Sequence, residues 1–157
     1  DREAVTGGLR LNDDGYYVSI ARQAVEAKPR QQGERYAVLF VDEDLDICAL
    51  VARLLGEEGF DVELANNRAE IVARLRRLPL PDLVLLDVNM PDVNGFDILQ
   101  RLKAHPALKA VPVIMLTAEA TREGVMRGLA GGADGYITKP FTREKLVRGV
   151  KAVLGIQ

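Results

Sequence analysis

Leu83-Val84-Leu85-Leu86-Asp87-Val88-Asn89-Met90-Pro91-Asp92-Val93-Asn94-Gly95 is the stretch that decides the fold. Four successive aliphatic residues predict a strand buried on both faces. Asp87 ends that strand and opens a loop punctuated by Pro91 and Gly95. The same grammar recurs three times. Ala37-Val38-Leu39-Phe40-Val41 runs into Asp42-Glu43, Val113-Ile114-Met115-Leu116 into Thr117, and Tyr136-Ile137-Thr138 into Lys139-Pro140. Four apolar runs therefore each hand a polar residue to what would be one edge of a sheet.

Helical periodicity fills the intervals. The first strand is expected over about Tyr36–Val41. A helix follows with Ile47, Leu50, Val51, Leu54 and Leu55 on one face, and Gly59 as its stop. A second strand spans Phe60–Leu64. Asn67 is placed to cap a helix carrying Ile71, Leu75 and Leu78. After the Leu83–Leu86 strand, Phe96, Leu99 and Leu102 mark a third helix, and Val111–Leu116 a fourth strand. Val125 and Leu129 mark a fourth helix that Gly131-Gly132 ends. Tyr136–Thr138 is a short fifth strand, and Thr142 caps a last helix facing inward with Leu146, Val150 and Val153. Five strand–helix units with strands apolar at every position predict an α/β fold, a five-stranded parallel sheet doubly wound by helices on both faces. Right-handed crossovers put all the strand C-termini on one edge, and ligands bind there where strand order reverses. Asp42, Glu43, Asp87, Thr117 and Lys139 are expected to converge.

The chain divides near residue 35, into a 1–35 extension and a main domain over 36–157. Residues 28–35 are polar, contain Pro29 and Gly33, and read as a linker. Asp14-Gly15 between Leu9–Leu11 and Tyr16–Val18 suggests a hairpin, and residues 20–27 a short helix. That piece is too small for a core of its own. It is either the tail of an upstream domain or an arm packed on the main one. Asn12–Gly15 is not a calcium loop, since Arg10 and Ala21 stand where oxygen ligands are needed.

Among 157 residues, 48% are hydrophobic, and 21 basic against 23 acidic residues leave a net charge of -2. That balance gives no reason to expect direct nucleic-acid binding or an anionic membrane surface. No apolar run reaches the length of a membrane span and no signal peptide is apparent, so a cytoplasmic setting is expected. The lone Cys48, in an apolar helical pattern, reads as a buried structural thiol. His105, between Ala104 and Pro106, reads as exposed and idle.

Three acids in one pocket repel each other unless a cation compensates. Oxygen-only ligands select a hard metal, Mg²⁺. Lys139 adds a compact cation suited to a phosphoryl oxygen, and Thr117 a hydroxyl donor. Together they make a site for phosphoryl transfer to a carboxylate, forming an acyl phosphate. Singly, Asp42 and Glu43 would pass as helix-start acids, and Lys139 as a solvated charge.

Residues 36–154 resemble a response-regulator receiver domain, the phosphoacceptor of two-component signalling. The resemblance is carried by Val41-Asp42-Glu43-Asp44, Leu86-Asp87-Val88-Asn89-Met90-Pro91 with Gly95, Leu116-Thr117-Ala118, and Tyr136-Ile137-Thr138-Lys139-Pro140-Phe141. It implies a flavodoxin-like receiver fold, with Asp87 as the phosphorylated residue. It further implies Glu43 and Asp87 as direct Mg²⁺ ligands, Asp42 acting through water, and the Asn89 backbone carbonyl completing the set. Lys139 would contact Asp87 and then the phosphoryl group. Thr117 would move toward the phosphate, and Tyr136 would turn inward after it. Ala118 would leave the pocket open, Lys139-Pro140 would be cis, and Asn89 and Glu119 would tune dephosphorylation. The implied partner is a histidine kinase or phosphotransfer protein. The implied output surface is the fourth helix, fifth strand and fifth helix, which carry Arg127, Asp134, Arg143 and Arg148 and would serve a homodimer. Such a domain is a regulatory phosphoacceptor, not an enzyme acting on outside substrates. Asn89 argues against a dehalogenase-type phosphatase, which needs a second acid there. The remaining alternative is a phosphorylation-independent interaction scaffold. No DNA-binding helix pair, cyclase motif or kinase motif follows residue 141, so the output is not legible.

Overall fold

The computed structural model describes residues 5–6, 9–11, 16–19, 33–118 and 122–156. Three short strands come first: β1 (Val5–Thr6), β2 (Leu9–Leu11) and β3 (Tyr16–Ser19). The alternating part then runs β4 (Ala37–Val41), α1 (Leu45–Glu57), β5 (Asp61–Ala65), α2 (Arg68–Leu75), β6 (Leu83–Leu86), α3 (Gly95–Ala104), β7 (Val113–Thr117), α4 (Arg122–Ala130), β8 (Gly135–Thr138) and α5 (Arg143–Leu154).

The five expected parallel strands are present in the order β5-β4-β6-β7-β8. The chain steps outward from β4 to β5, then returns to β6 on the other side. Strand order therefore reverses between β4 and β6, and the residues that follow those two strands, Asp42 and Asp87, flank the crevice. All four residues of β6 and all five of β7 are buried, as strands covered on both faces must be. One core joins Val38, Phe40, Leu83, Leu85, Ile114 and Leu116 to α1 and α5. The other joins Leu39, Val41, Val84, Leu86, Val113 and Met115 to α2, α3 and α4.

Helix starts follow local chemistry. Asp44, Asn67, Asn94 and Thr142 each accept a backbone N–H of the first turn, from Ile47 and Asp46, Glu70, Phe96 and Lys145 respectively. The Asn67 and Thr142 caps were expected. α2 stops at Leu75, and Leu78 lies beyond it, 79% exposed, before a cis bond to Pro79. A residue preceding proline is pushed out of helical geometry, so the helix expected to include Leu78 ends short of it.

The extension adds to the expected architecture. β2 and β3 pair antiparallel, Leu9 with Ser19 and Leu11 with Tyr17, as the hairpin reading requires. β3 then pairs antiparallel with β8, extending the five-stranded parallel sheet to an eight-stranded mixed one. The helix expected over 20–27 and most of the linker lie outside the described residues. The outer edge of β8, within the surface expected to serve a homodimer, carries β3. Three charges expected to pair across a partner are engaged within the chain. Asp134 takes Lys103 Nζ at 2.8 Å, Arg143 reaches Glu57 and Glu58 at 2.7 and 2.8 Å, and the Arg127 guanidinium lies 4.3 Å from the Phe96 ring centre.

Candidate functional site

At the C-terminal edge of β4, β6, β7 and β8 the chain assembles two carboxylates, an ammonium and a hydroxyl. Asp42 leaves β4 almost wholly buried, at 1% exposure, and Asp87 leaves β6 at 5%. Lys139 follows β8 and reaches back across the strand ends. Its Nζ donates to Asp42 Oδ2 at 2.8 Å and stands 3.8 Å from Asp87 Oδ1. Lys139 is held by its backbone, whose N–H donates to the Thr117 carbonyl at 2.8 Å; the Lys139–Pro140 bond is cis, as the resemblance implied. Thr117 ends β7 fully buried.

The other oxygen of Asp42 accepts the Asp44 N–H at 3.0 Å, so the carboxylate is fixed from both ends. Asp87 Oδ1 accepts the Asn89 N–H at 3.3 Å. Burial pushes the Asp87 carboxyl up from its ordinary 3.8 to about 6. Lys139 pulls it down, and the charge of Asp42 pushes it up again. Two buried carboxylates around one ammonium leave a net negative pocket, which would accept a further cation.

The loop after Asp87 closes tightly. The Gly95 N–H donates to Val88 carbonyl at 2.9 Å, and Asn89 and Asn94 pair across the loop. A Cβ at Gly95 would overlap the Asp87 carbonyl oxygen and sit 2.7 Å from Val88 Cα. Glycine is required there because backbone meets backbone, and Asn94-Gly95 thus serves turn and helix start.

Of the residues expected to meet, Asp42, Asp87, Lys139 and Thr117 do converge. Glu43 is exposed beside them, and Asn89 is exposed on the loop. Among the described residues no three of His, Cys, Asp and Glu form a metal cluster by themselves. The donor set still fits Mg²⁺, which binds through one or two carboxylates and a carbonyl and keeps its remaining waters. Tyr136 is fully buried. Glu119 lies outside the described residues.

Sequence reasoning missed Asn66. Its side-chain N–H donates to the Asp42 carbonyl at 2.8 Å, locking the turn that aims the Asp42 carboxylate. No local pattern announces that role. Cys48 is buried, and burial pushes its thiol up to about 11, an inert group as expected. His105 is exposed, its Nδ1 accepting the Ala107 N–H. A cleft of about 690 Å³ opens between α2 and α3, away from Lys139 and Thr117.

Residues 38–151 match the family model of the response regulator receiver domain. The DNA-binding response regulator MtrA of Mycobacterium tuberculosis is 39% identical over 120 residues, 76% of this chain and 51% of that protein. The probable transcriptional regulatory protein TcrX of the same organism is 37% identical over 126 residues, 80% of this chain and 52% of that protein. The chain spans about half the length of the curated relatives it matches. Among solved structures, the chemotaxis protein CheY4 of Vibrio cholerae aligns with a TM-score of 0.72 and 33% identity, over 77% of this chain and 100% of that one. The signal receiver domain of a histidine kinase from Syntrophus aciditrophicus gives 0.69 and 35%, over 76% and 89%.

These relatives overturn the expectation that nucleic acid plays no part. Net charge speaks only for the residues counted, and here they match about half of MtrA, a protein named as a DNA-binding response regulator. No helix among the described residues is long and apolar enough to cross a membrane. The buried acid–lysine edge, the fold that builds it and the family match lead to one identification: the chain belongs to the response-regulator receiver family of two-component signalling.

Proposed function

We propose that this chain accepts a phosphoryl group on Asp87 from the phosphohistidine of a sensor kinase or phosphotransfer protein. The observation that carries this reading is the buried Asp87 carboxylate facing the Lys139 ammonium, which Asp42 holds in place. Catalysis of such a transfer is mostly positioning and charge neutralisation. The strand end fixes Asp87, and the Asn89 N–H orients one of its oxygens. The oxygen–phosphorus bond to Asp87 forms as the nitrogen–phosphorus bond of the donor breaks, the electron pair staying on the imidazole nitrogen. Lys139 then has phosphoryl oxygens to bind in place of a bare carboxylate, and Thr117 supplies a hydroxyl at the adjoining strand end.

The carboxylates of Asp42, Glu43 and Asp87 and the Asn89 carbonyl would hold Mg²⁺, which when bound neutralises charge on the phosphoryl oxygens. Water later cleaves the acyl phosphate, and Asn89 and Glu119 set how readily it does so. The chain is thus a regulatory phosphoacceptor, not an enzyme on outside substrates, and works in the cytoplasm. Its relatives' names extend the reading to the whole protein: phosphorylation would govern a DNA-binding output.

Beryllofluoride, a phosphoryl mimic, tests the site. With Mg²⁺ the full chain should give a slowly exchanging bound ¹⁹F resonance, and Asp87→Asn should give none. A bound resonance of equal intensity in both proteins would remove Asp87 from the site.

A further inference from the structure

β3 does more than lengthen the sheet. Its side chains alternate between the two cores, as a strand's must. Tyr16 and Val18 join Ile137, Leu146 and Val150 on the α5 side, and Tyr17 packs into the opposite core that holds Tyr136. The register sets Tyr17 directly against Tyr136. Their rings meet edge to face, 6.3 Å between centroids and 84° between planes. Tyr136 also lies close to α4. A Cβ at Gly128 in α4 would sit 3.3 Å from both Cδ2 and Cε2 of that ring. Tyr136 therefore adjoins both α4 and β3, and a displacement of its ring would bear on both. β3 has four residues and its outer neighbour β2 three, so β3 is the smaller and more easily opened element.

We propose that β3 is a built-in ligand of the receiver, its hold on the β8 edge coupled through Tyr17 and Tyr136 to the state of Asp87. The proposal rests on the phosphoacceptor reading above. β3 favours the arrangement in which Asp87 is unmodified. Occupancy of Asp87 draws on Thr117 and shifts Tyr136, which breaks the edge-to-face contact, loosens β3 and uncovers the β8 edge beside α5. Coupling of this kind is reciprocal: whatever factor Asp87 occupancy applies to β3 release, loss of the β3 contact applies to Asp87 occupancy. An aromatic pair of this geometry sets that factor at roughly two- to tenfold.

The test uses the full chain, as wild type, Tyr17→Ala and Tyr17→Phe. Hydrogen exchange is followed by mass spectrometry at residues 16–19 and 135–138, with and without Mg²⁺ and beryllofluoride. In wild type and Tyr17→Phe, both segments should exchange faster, by roughly two- to tenfold, once beryllofluoride is bound. Tyr17→Ala should exchange faster before any addition and bind beryllofluoride tighter by a similar factor. Exchange unchanged or slowed while the ¹⁹F resonance reports bound beryllofluoride would overturn the coupling, as would wild-type affinity in Tyr17→Ala. Absence of the bound resonance in wild type would instead overturn the phosphoacceptor reading, and the coupling with it.

Discussion

Replacing Asp87 by Asn should stabilise the metal-free chain, and the size of the gain follows from the site. The fold holds the Asp87 carboxyl at about 6 against an ordinary 3.8, chiefly by burial. Each unit is about 1.4 kcal/mol, so ionised Asp87 costs the folded state about 3 kcal/mol at neutral pH. The sign is that of an acid raised by folding. Between pH 4 and 6 the folded chain binds the extra proton, so stability falls as pH rises through that window and stays lowered above it. Asn removes the charge and keeps the shape, while Lys139 retains Asp42 at 2.8 Å. In EDTA, urea unfolding should find Asp87→Asn about 2–3 kcal/mol more stable than wild type at pH 7.5. At pH 4 the two should nearly coincide. A variant equally stable at pH 7.5, or a difference that does not change with pH, would refute the view that Asp87 is held ionised against desolvation.

Other perturbations separate the parts of the site. Lys139→Ala leaves the Asp42 carboxylate buried without its ammonium and should cost about 3 kcal/mol by urea unfolding, in addition to abolishing the ¹⁹F signal. Asn66→Ala removes the donor to the Asp42 carbonyl and should cost about 1–2 kcal/mol, with weakened beryllofluoride binding. Gly95→Ala forces a methyl group into the Asp87 carbonyl and should destabilise by about 1–3 kcal/mol, read as a lower urea midpoint.

The parallel sheet was legible because its strands are apolar at every position and its helices carry spaced apolar faces. The convergence of Asp42, Asp87, Thr117 and Lys139 followed from topology alone, since parallel strands deliver their C-terminal ends to one edge. An arm packed on the main domain was one of two readings of the extension, but the partner strand of β3 was not legible. Tyr17 meets Tyr136 across most of the chain, and short alternating strands do not name their partner. Asn66 was invisible for a related reason: it acts through a contact to the Asp42 carbonyl, which no spacing encodes. The intrachain partners of the surface charges were not legible: Asp134 meets Lys103 and Arg143 meets Glu58 only once the chain is folded. The charge argument against nucleic acid is overturned by a relative named as a DNA-binding response regulator, about half of whose length this chain matches.

On the proposed function, Asp87 receives a phosphoryl group. The most direct measurement is intact mass after incubation with acetyl phosphate and Mg²⁺, with peptide mapping of the product. A gain of one phosphoryl group that requires Mg²⁺, maps to Asp87 and is lost in Asp87→Asn is the predicted result. An unchanged mass, or an adduct that persists in Asp87→Asn, would contradict it.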